Sequence, residues 1–235
     1  MSADPKTIAF VLYPGLTPLD LVGPLQAFGM LKLFTPEFDC RVVAGSVEPM
    51  DSDVPVRLSA SATFDDVPNP FAIVVPGGAG PTLRAMADRQ LLDYLRSASE
   101  SAQVVASVCT GSLLLGAAGL LEGRRATTHW GFHRLLPRFG ATYVPERWVE
   151  DGKFIMSAGV SAGIDMALHL IARLAGEELA RQVQLILEYD PAPPFGGIDW
   201  EQVDRDMMVP MVEGFVATEL AGEPELQERL APAAV

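Results

Sequence analysis

Residues 104–121 have the sequence VVASVCTGSLLLGAAGLL, an uncharged stretch of 18 residues whose character changes midway. Residues 104–108 are rich in β-branched side chains, whereas residues 112–118 are mainly leucine, alanine and glycine. A membrane-spanning helix needs about 20 mostly apolar residues, and this stretch contains three glycines and several hydroxyl side chains. We therefore interpret it as a buried strand that runs directly into a buried helix.

The same alternation of strand and helix extends along the chain on both sides of this stretch. Predicted strands lie at 7–12, 40–44, 72–75 and 104–108, with a hairpin at 148–156; predicted helices lie at 25–30, 91–99, 160–175 and 177–187. Apolar strands separated by helices are typical of a mainly parallel sheet that helices cover on both faces. The sequence therefore predicts an α/β fold of this kind.

The composition fits one large domain with a small appendage. The chain has 235 residues, of which 49% are hydrophobic, enough for a packed core. We predict a domain at 1–197, followed by an acidic helical extension at 198–235 that packs on it. From residue 199 onward the sequence has nine acidic residues and two arginines. We interpret this extension as a solvated helix, with a partner-binding role as the alternative.

Net charge and cysteine content narrow the function classes. With 17 basic and 30 acidic side chains, the formal charge of −13 argues against a nucleic-acid partner and against an anionic membrane surface. Two cysteines do not form a disulfide framework, and the first residues lack the layout of a signal peptide. We expect a cytoplasmic protein that binds neither nucleic acid nor membrane.

The most informative candidate site is the junction between the two halves of the opening stretch. Cys109 follows the predicted strand, and Thr110 and Gly111 come directly after it. A thiol at the first turn of a helix lies near the positive end of the helix dipole, so we predict a pKa below that of free cysteine. The junction resembles a nucleophile elbow, although Ser107 stands where the G-x-S-x-G pattern has its first glycine. A buried core cysteine is the alternative, and we prefer that interpretation for Cys40.

Two other strand-to-helix loops and one histidine supply candidate partners for this thiol. Gly77 and Gly78 either present N–H groups to a developing negative charge or only permit a sharp turn. Asp20 either caps the helix that follows it or faces the thiol as an acid/base group. His129 either lies near the thiol or is a satisfied buried histidine. Its four-residue spacing from His133 can suit a metal, but no third ligand accompanies the pair, so we expect no metal.

Taken together, these residues resemble the DJ-1/PfpI superfamily, which is related to class I glutamine amidotransferases. The resemblance rests on 19–24, 76–78, 107–121, 126–130, 162–165 and 183–195, and spans about residues 6–197. It implies a flavodoxin-like sandwich and a homodimer. It also implies Cys109 as nucleophile, Asp20 as its acidic partner and Thr110 as a neighbour that tunes the site.

Within the superfamily, the chain is most similar to isocyanide hydratases. Members with peptidase activity usually have His after the nucleophile, where this chain has Thr110; glyoxalase or deglycase branches generally have Glu at the position of Asp20. The resemblance therefore implies a lyase that converts a small-molecule isocyanide to an N-substituted formamide without a cofactor. Another thiol-dependent activity, glyoxalase-, deglycase- or amidase-like, and a non-enzymatic ligand or redox sensor are the alternatives.

Overall fold

The computed structural model describes residues 4–231; residues 1–3 and 232–235, at the ends of the two predicted domain ranges, lie outside this part. The strands are β1 (Lys6–Val11), β2 (Phe38–Ala44), β3 (Met50–Asp51), β4 (Arg57–Leu58), β5 (Ala62–Thr63), β6 (Ala72–Val75), β7 (Val104–Val108), β8 (Arg125–Ala126), β9 (Thr142–Tyr143), β10 (Trp148–Asp151) and β11 (Phe154–Ser157). The helices are α1 (Pro18–Leu31), α2 (Gly80–Ala85), α3 (Arg89–Ser101), α4 (Gly111–Ala117), α5 (Ala162–Ala175), α6 (Glu177–Ile186), α7 (Val209–Glu219) and α8 (Pro224–Leu230), with a 3-10 helix at Trp130–Phe139.

Seven strands form the central sheet in the order β10-β11-β7-β6-β1-β2-β5. All neighbours in this sheet are parallel except β10 and β11, which form an antiparallel hairpin. The chain moves from β1 to β2 in one direction and from β6 to β7 in the other, so right-handed crossovers place α1 and α3 on opposite faces. This arrangement explains why β6 and β7 are buried along their whole length. The predicted mainly parallel α/β sandwich is confirmed.

Most predicted elements are present with shifted ends, and the largest difference is at α1. The sequence indicated a helix only at 25–30, whereas α1 begins at Pro18 and continues through Pro24. A proline inside a helix removes a backbone hydrogen bond, which is why the pattern favoured a later start. Packing supports the longer helix, because Gly23 lies so close to α5 that an added Cβ would sit 3.1 Å from Ile164. The predicted hairpin is confirmed, with Gly152 in the left-handed region at its turn.

The order of the strands creates the crevice where open α/β sheets bind ligands. Connections leave β1 and β6 in opposite directions, so these two neighbouring strands form the topological switch point. The carboxyl ends of β1, β6 and β7 therefore lie side by side. The segments that follow these ends carry Asp20, in the first turn of α1, and Gly77 and Cys109, in loops; the three residues are far apart in the sequence.

The C-terminal extension lies against the 3-10 helix and α2. Phe215 of α7 stacks on Phe132 with ring centroids 6.4 Å apart, and Glu219 pairs with Arg84 at 2.6 Å. Between the 3-10 helix and helices α7 and α8 is a half-open, mainly apolar cavity of about 740 Å³. The domain boundary at 197/198 stays a prediction.

None of the helices within residues 4–231 is both long enough and apolar enough to cross a lipid bilayer.

Candidate active site

The backbone at Cys109 has an unusual conformation for a residue with a side chain. Cys109 has a φ of +56° between the end of β7 and the start of α4. The left-handed region costs a non-glycine residue about 1–2 kcal/mol, so surrounding contacts must hold it there. The Cys109 N–H donates to the carbonyl of Ser157 at 3.1 Å, and the Thr128 hydroxyl donates to the Cys109 carbonyl at 3.1 Å. The structure thus places Cys109 on a sharp strand-to-helix turn.

Gly111 explains how β6 approaches this turn so closely. A Cβ at Gly111 would lie 2.1 Å from the carbonyl oxygen of Val75 and 2.8 Å from that of Pro76. Both obstacles are backbone atoms, so no rotamer change relieves the clash. The absence of a side chain at Gly111 lets the loop after β6 lie directly on the turn that carries Cys109.

Asp20 enters the site from the first turn of α1. Its side chain is fully buried, and Oδ2 accepts the Gly77 N–H at 2.9 Å. Within the described part of the chain, Oδ1 is buried without a hydrogen-bond partner. The one backbone hydrogen bond of the Asp20 carboxyl among the described residues comes from Gly77, so no N–H of α1 donates to it. Asp20 therefore faces the site instead of capping its helix.

Burial moves the proton affinities of Asp20 and Cys109 in the same direction. Loss of hydration raises the pKa of Asp20 to about 7, although the Gly77 N–H and the neighbouring thiol stabilise the carboxylate. Burial also raises the pKa of the Cys109 thiol well above its ordinary value, and the Asp20 carboxylate raises it further. The predicted low thiol pKa is therefore wrong, because burial outweighs the N–H of Thr110. Of this pair, Asp20 is the group that titrates near neutral pH.

Thr110 is held by a chain of hydrogen bonds that the sequence did not reveal. Its Oγ1 accepts the N–H groups of Gly78 at 3.0 Å and Ala79 at 3.2 Å, and lies 2.8 Å from the Thr82 hydroxyl. Thr82 in turn contacts the Tyr13 hydroxyl at 3.0 Å, which donates to the carbonyl of Pro76. Because the Tyr13 hydroxyl proton is already donated to Pro76, the Thr82 hydroxyl donates to Tyr13 and the Thr110 hydroxyl donates to Thr82.

The N–H groups of Gly77 and Gly78 bind protein side chains, whereas the sequence suggested that they stabilise a developing negative charge. The Gly77 N–H donates to Asp20 and the Gly78 N–H donates to Thr110. A Cβ at Gly77 would lie 2.6 Å from the backbone nitrogen of Thr110. The glycine loop therefore positions Asp20 and Thr110 against the turn, and neither N–H points to an unoccupied oxyanion site.

His129 lies at the edge of this cluster. It is half-buried directly before the 3-10 helix, where its Nδ1 accepts the Gly131 N–H at 3.2 Å and its ring packs edge-on against Phe132. Burial lowers its pKa, which keeps the imidazole neutral at pH 7. Within residues 4–231, it has no hydrogen bond to Asp20 or Cys109, and a substrate contact stays a prediction.

His133 belongs to a different environment from His129. Its Nδ1 lies 2.8 Å from the carbonyl of Trp130, and its Nε2 faces Asp206 of the extension. Nowhere in residues 4–231 do three or more His, Cys, Asp or Glu side chains form a group that can hold a metal ion.

Four residues near the site escaped the sequence analysis: Tyr13, Thr17, Asp53 and Thr82. Tyr13 and Thr82 complete the chain of hydroxyls at Thr110, and Thr17 and Asp53 contact each other beside Asp20. Thr17 stands three residues before Asp20, the spacing of a capping box, and that signal was available. Asp53 and Thr82 had no local signal.

Comparison with known proteins places this site in a family. The model of the DJ-1/PfpI family matches residues 6–173. The chain belongs to the DJ-1/PfpI family. Among DJ-1/PfpI relatives, it is 47% identical over 188 residues to isonitrile hydratase of Pseudomonas putida, covering 80% of each chain.

Two further similar proteins are a solved structure and a transcriptional regulator. A crystal structure of a THiJ/PfpI family protein from Pseudomonas syringae superposes with a TM-score of 0.82 at 36% identity, covering 96% of this chain and 90% of that one. The transcriptional regulator CdhR of Pseudomonas aeruginosa is 30% identical over 179 residues, which are 74% of this chain but 52% of the regulator. The chain thus spans about half the length of that regulator.

Proposed function

We propose that this DJ-1/PfpI protein is an isocyanide hydratase, which converts R–N≡C and water to the formamide R–NH–CHO. The observation that carries the proposal is the buried pair of Cys109 and Asp20, in a chain 47% identical to an isonitrile hydratase. The terminal carbon of an isocyanide must gain both a nucleophile and a proton. A thiol beside a carboxyl group supplies both.

In the first step, the sulfur of Cys109 attacks the terminal carbon. The thiol is protonated at rest because its pKa is raised, so the Asp20 carboxylate accepts that proton as the S–C bond forms. Asp20 then delivers the proton to the same carbon, which gives the thioimidate R–N=CH–S–Cys109. Its pKa of about 7 suits a group that both accepts and releases a proton at neutral pH.

In the second step, water adds to the thioimidate carbon. The Asp20 carboxylate accepts a proton from the attacking water and passes it to the nitrogen, and the product is the adduct R–NH–CH(OH)–S–Cys109. The C–S bond then breaks, the hydroxyl proton of the adduct passes through Asp20 to the departing sulfur, and R–NH–CHO and the Cys109 thiol are released. Covalent catalysis divides the hydration into two easier additions, and every step uses water and groups of this chain.

The remaining predicted site residues support this pair. Thr110 adjoins the sulfur, and its backbone N–H stabilises negative charge there. Gly77 and Gly78 hold Asp20 and Thr110 in place, and His129 is proposed to contact the substrate. From the family resemblance we further propose that the protein is a homodimer that acts without a cofactor, and from its low cysteine content we propose that it is cytoplasmic.

Replacing the nucleophile tests the proposal most directly. Wild-type protein is expected to form formamide from an alkyl isocyanide, and Cys109→Ala is expected to lose at least about 10³-fold in turnover. Cys40→Ala is the matched control, since Cys40 lies in β2 with its pKa raised by burial to about 11. Chromatography of the product, corrected for a blank without protein, measures both. Formamide production by Cys109→Ala at the wild-type rate would exclude covalent catalysis.

A ligand sensor is the second candidate, favoured by the 30% identity to the regulator CdhR. A sensor would bind an isocyanide without consuming it. Wild-type protein that turns over methylglyoxal faster than isocyanides would instead indicate a glyoxalase-like member. Formamide formation, isocyanide binding and methylglyoxal turnover, measured on the same preparation, therefore separate the three possibilities.

A further inference from the structure

The hairpin of β3 and β4 is fastened to the loop that leads into α1. The Gly15 N–H donates to the carbonyl of Asp51 at 2.8 Å, and the Asp53 N–H donates to the carbonyl of Leu16 at 3.2 Å. A third contact joins side chains, because the Thr17 hydroxyl donates to Oδ2 of Asp53 at 2.5 Å. An exposed hairpin is thereby coupled to the residue that directly precedes α1.

Thr17 is also part of a closed ring of hydrogen bonds that holds Asp20. The Thr17 N–H donates to the carbonyl of Gly77 at 2.9 Å, and the Gly77 N–H donates to the Asp20 carboxyl at 2.9 Å. The Asp20 N–H closes the ring by donating to the carbonyl of Thr17 at 3.0 Å. Because Gly77 also lies against Thr110, the orientation of this ring decides how Asp20 faces the thiol.

The side chain of Thr17 makes no capping hydrogen bond, although Thr17 is the N-cap residue of α1. A threonine in that position usually accepts a backbone N–H from the first turn. Here the hydroxyl instead donates to the Asp53 carboxylate, so Asp53 fixes Thr17 from outside the helix.

We propose, on the basis of the hydratase function above, that Asp53 is a positioning residue for Asp20, acting through the Thr17 hydroxyl and the Thr17–Gly77–Asp20 ring. Asp53 is exposed and does not enter the site itself. Its role is to fix the outer end of the ring, so that the Asp20 carboxyl keeps its direction while a proton moves to and from it.

The charge of Asp53 adds a second effect on the same carboxyl. The groups that face Asp20 are Cys109, Tyr13 and Asp53, and the negative charge of Asp53 raises the pKa of Asp20. On α5, which also packs against α1, Asp165 is paired with Arg147. Loss of the Asp53 charge therefore lowers the pKa of the Asp20 carboxyl.

Three substitutions separate the two effects. Asp53→Asn removes the charge but keeps an oxygen that accepts the Thr17 hydroxyl. Thr17→Val removes the hydroxyl but keeps the charge, and Asp53→Ala removes both. Asp66→Ala is the matched control, because Asp66 is an exposed aspartate that accepts a threonine hydroxyl, from Thr63 at 2.7 Å, on the edge strand β5.

Two readouts are measured for each variant: isocyanide turnover, and the pH dependence of Cys109 alkylation by iodoacetamide in a Cys40→Ala background. Asp53→Asn is expected to lower by about half a unit the pH at which Asp20 ionises, measured as a shift of the inflection near pH 7 in the alkylation rate of the neighbouring thiol. Thr17→Val is expected to lower kcat about tenfold with KM changed less than about twofold, and Thr17→Ser to restore it. Asp53→Ala is expected to show both changes.

Asp53→Ala with the kcat and alkylation profile of Asp66→Ala would overturn the proposal. So would a Thr17→Ser variant as impaired as Thr17→Val, because folding and not the hydroxyl would then matter. If wild-type protein hydrates no isocyanide, the hydratase function fails, but alkylation still tests the coupling between Asp53 and the buried pair.

Discussion

Helices α1 and α3 both begin beside an aspartate, and the two aspartates are used in opposite ways. Asp88 is the exposed N-cap of α3, and its carboxylate accepts the Leu91 N–H at 3.1 Å. At α1, the residues with capping-box spacing are Thr17 and Asp20, yet neither side chain makes a capping hydrogen bond. The hydroxyl of Thr17 binds Asp53, and the Asp20 carboxyl is buried with Gly77 and Cys109.

The comparison shows what it takes for the fold to hold a carboxyl group buried beside a thiol. The cap at Asp88 satisfies a backbone N–H in water and stabilises its helix by about 1 kcal/mol. Asp20 does not stabilise its helix in this way, and its burial disfavours the charged carboxylate. Pro18 at the first position of α1 supports the helix start in its place, since its ring fixes a helical φ and its missing N–H needs no acceptor.

The largest effect expected from this contrast comes from Asp20→Asn. Loss of the proton carrier is expected to lower isocyanide turnover at least about 100-fold. Stability should change in the opposite direction, because the pKa of the buried carboxyl is about 7 against an ordinary value of 3.8. Since protonation favours the folded wild type between these values, the variant should gain about 4 kcal/mol relative to wild type on going from pH 4 to pH 8. Urea unfolding at the two pH values measures this gain, and a loss at pH 8 would mean that Asp20 is structural.

A smaller effect is expected when pH alone is changed. In the proposed mechanism the carboxylate form of Asp20 accepts the thiol proton, and this form is lost as the pH falls through about 7. We expect kcat/KM to fall about tenfold per pH unit well below that value, and Asp20→Asn to lack this limb. An acid limb near pH 4 in the wild type would show that the carboxyl is not perturbed.

The smallest effect is expected at the other helix. Asp88→Ala should reduce the free energy of unfolding by about 1 kcal/mol and leave isocyanide turnover unchanged. Denaturant unfolding and the formamide assay measure both quantities on the same preparation. If turnover also falls severalfold, the start of α3 is coupled to the site and the contrast between the helices fails.

Local patterns in the sequence predicted the elements that carry their own signal. Strands β6 and β7 are continuous apolar runs, and the β10–β11 hairpin has an Asp-Gly turn at 151–152. Strands such as β3, β4 and β5 have two residues each, too few for any periodicity. The start of α1 was missed because Pro24 argues against a helix that tertiary packing stabilises.

At the site, residue types were predictable but their environments were not. The residues around Cys109 and Asp20 identified the pair and its family. The direction of the shift in the Cys109 pKa depends on burial by segments distant in sequence, and the local helix dipole suggested the opposite sign. The contact between Thr17 and Asp53 crosses 36 positions and follows no short pattern.

The close approach at Gly111 also limits how this protein can evolve. Alanine, the smallest possible replacement, would collide with the carbonyl of Val75 and not with a movable side chain. Any single substitution of Gly111 would therefore displace β6. Asp53 is exposed, so its replacement meets no such collision. Substitutions that change the chemistry are therefore easier to accommodate at Asp53 than at residues beside the sulfur of Cys109.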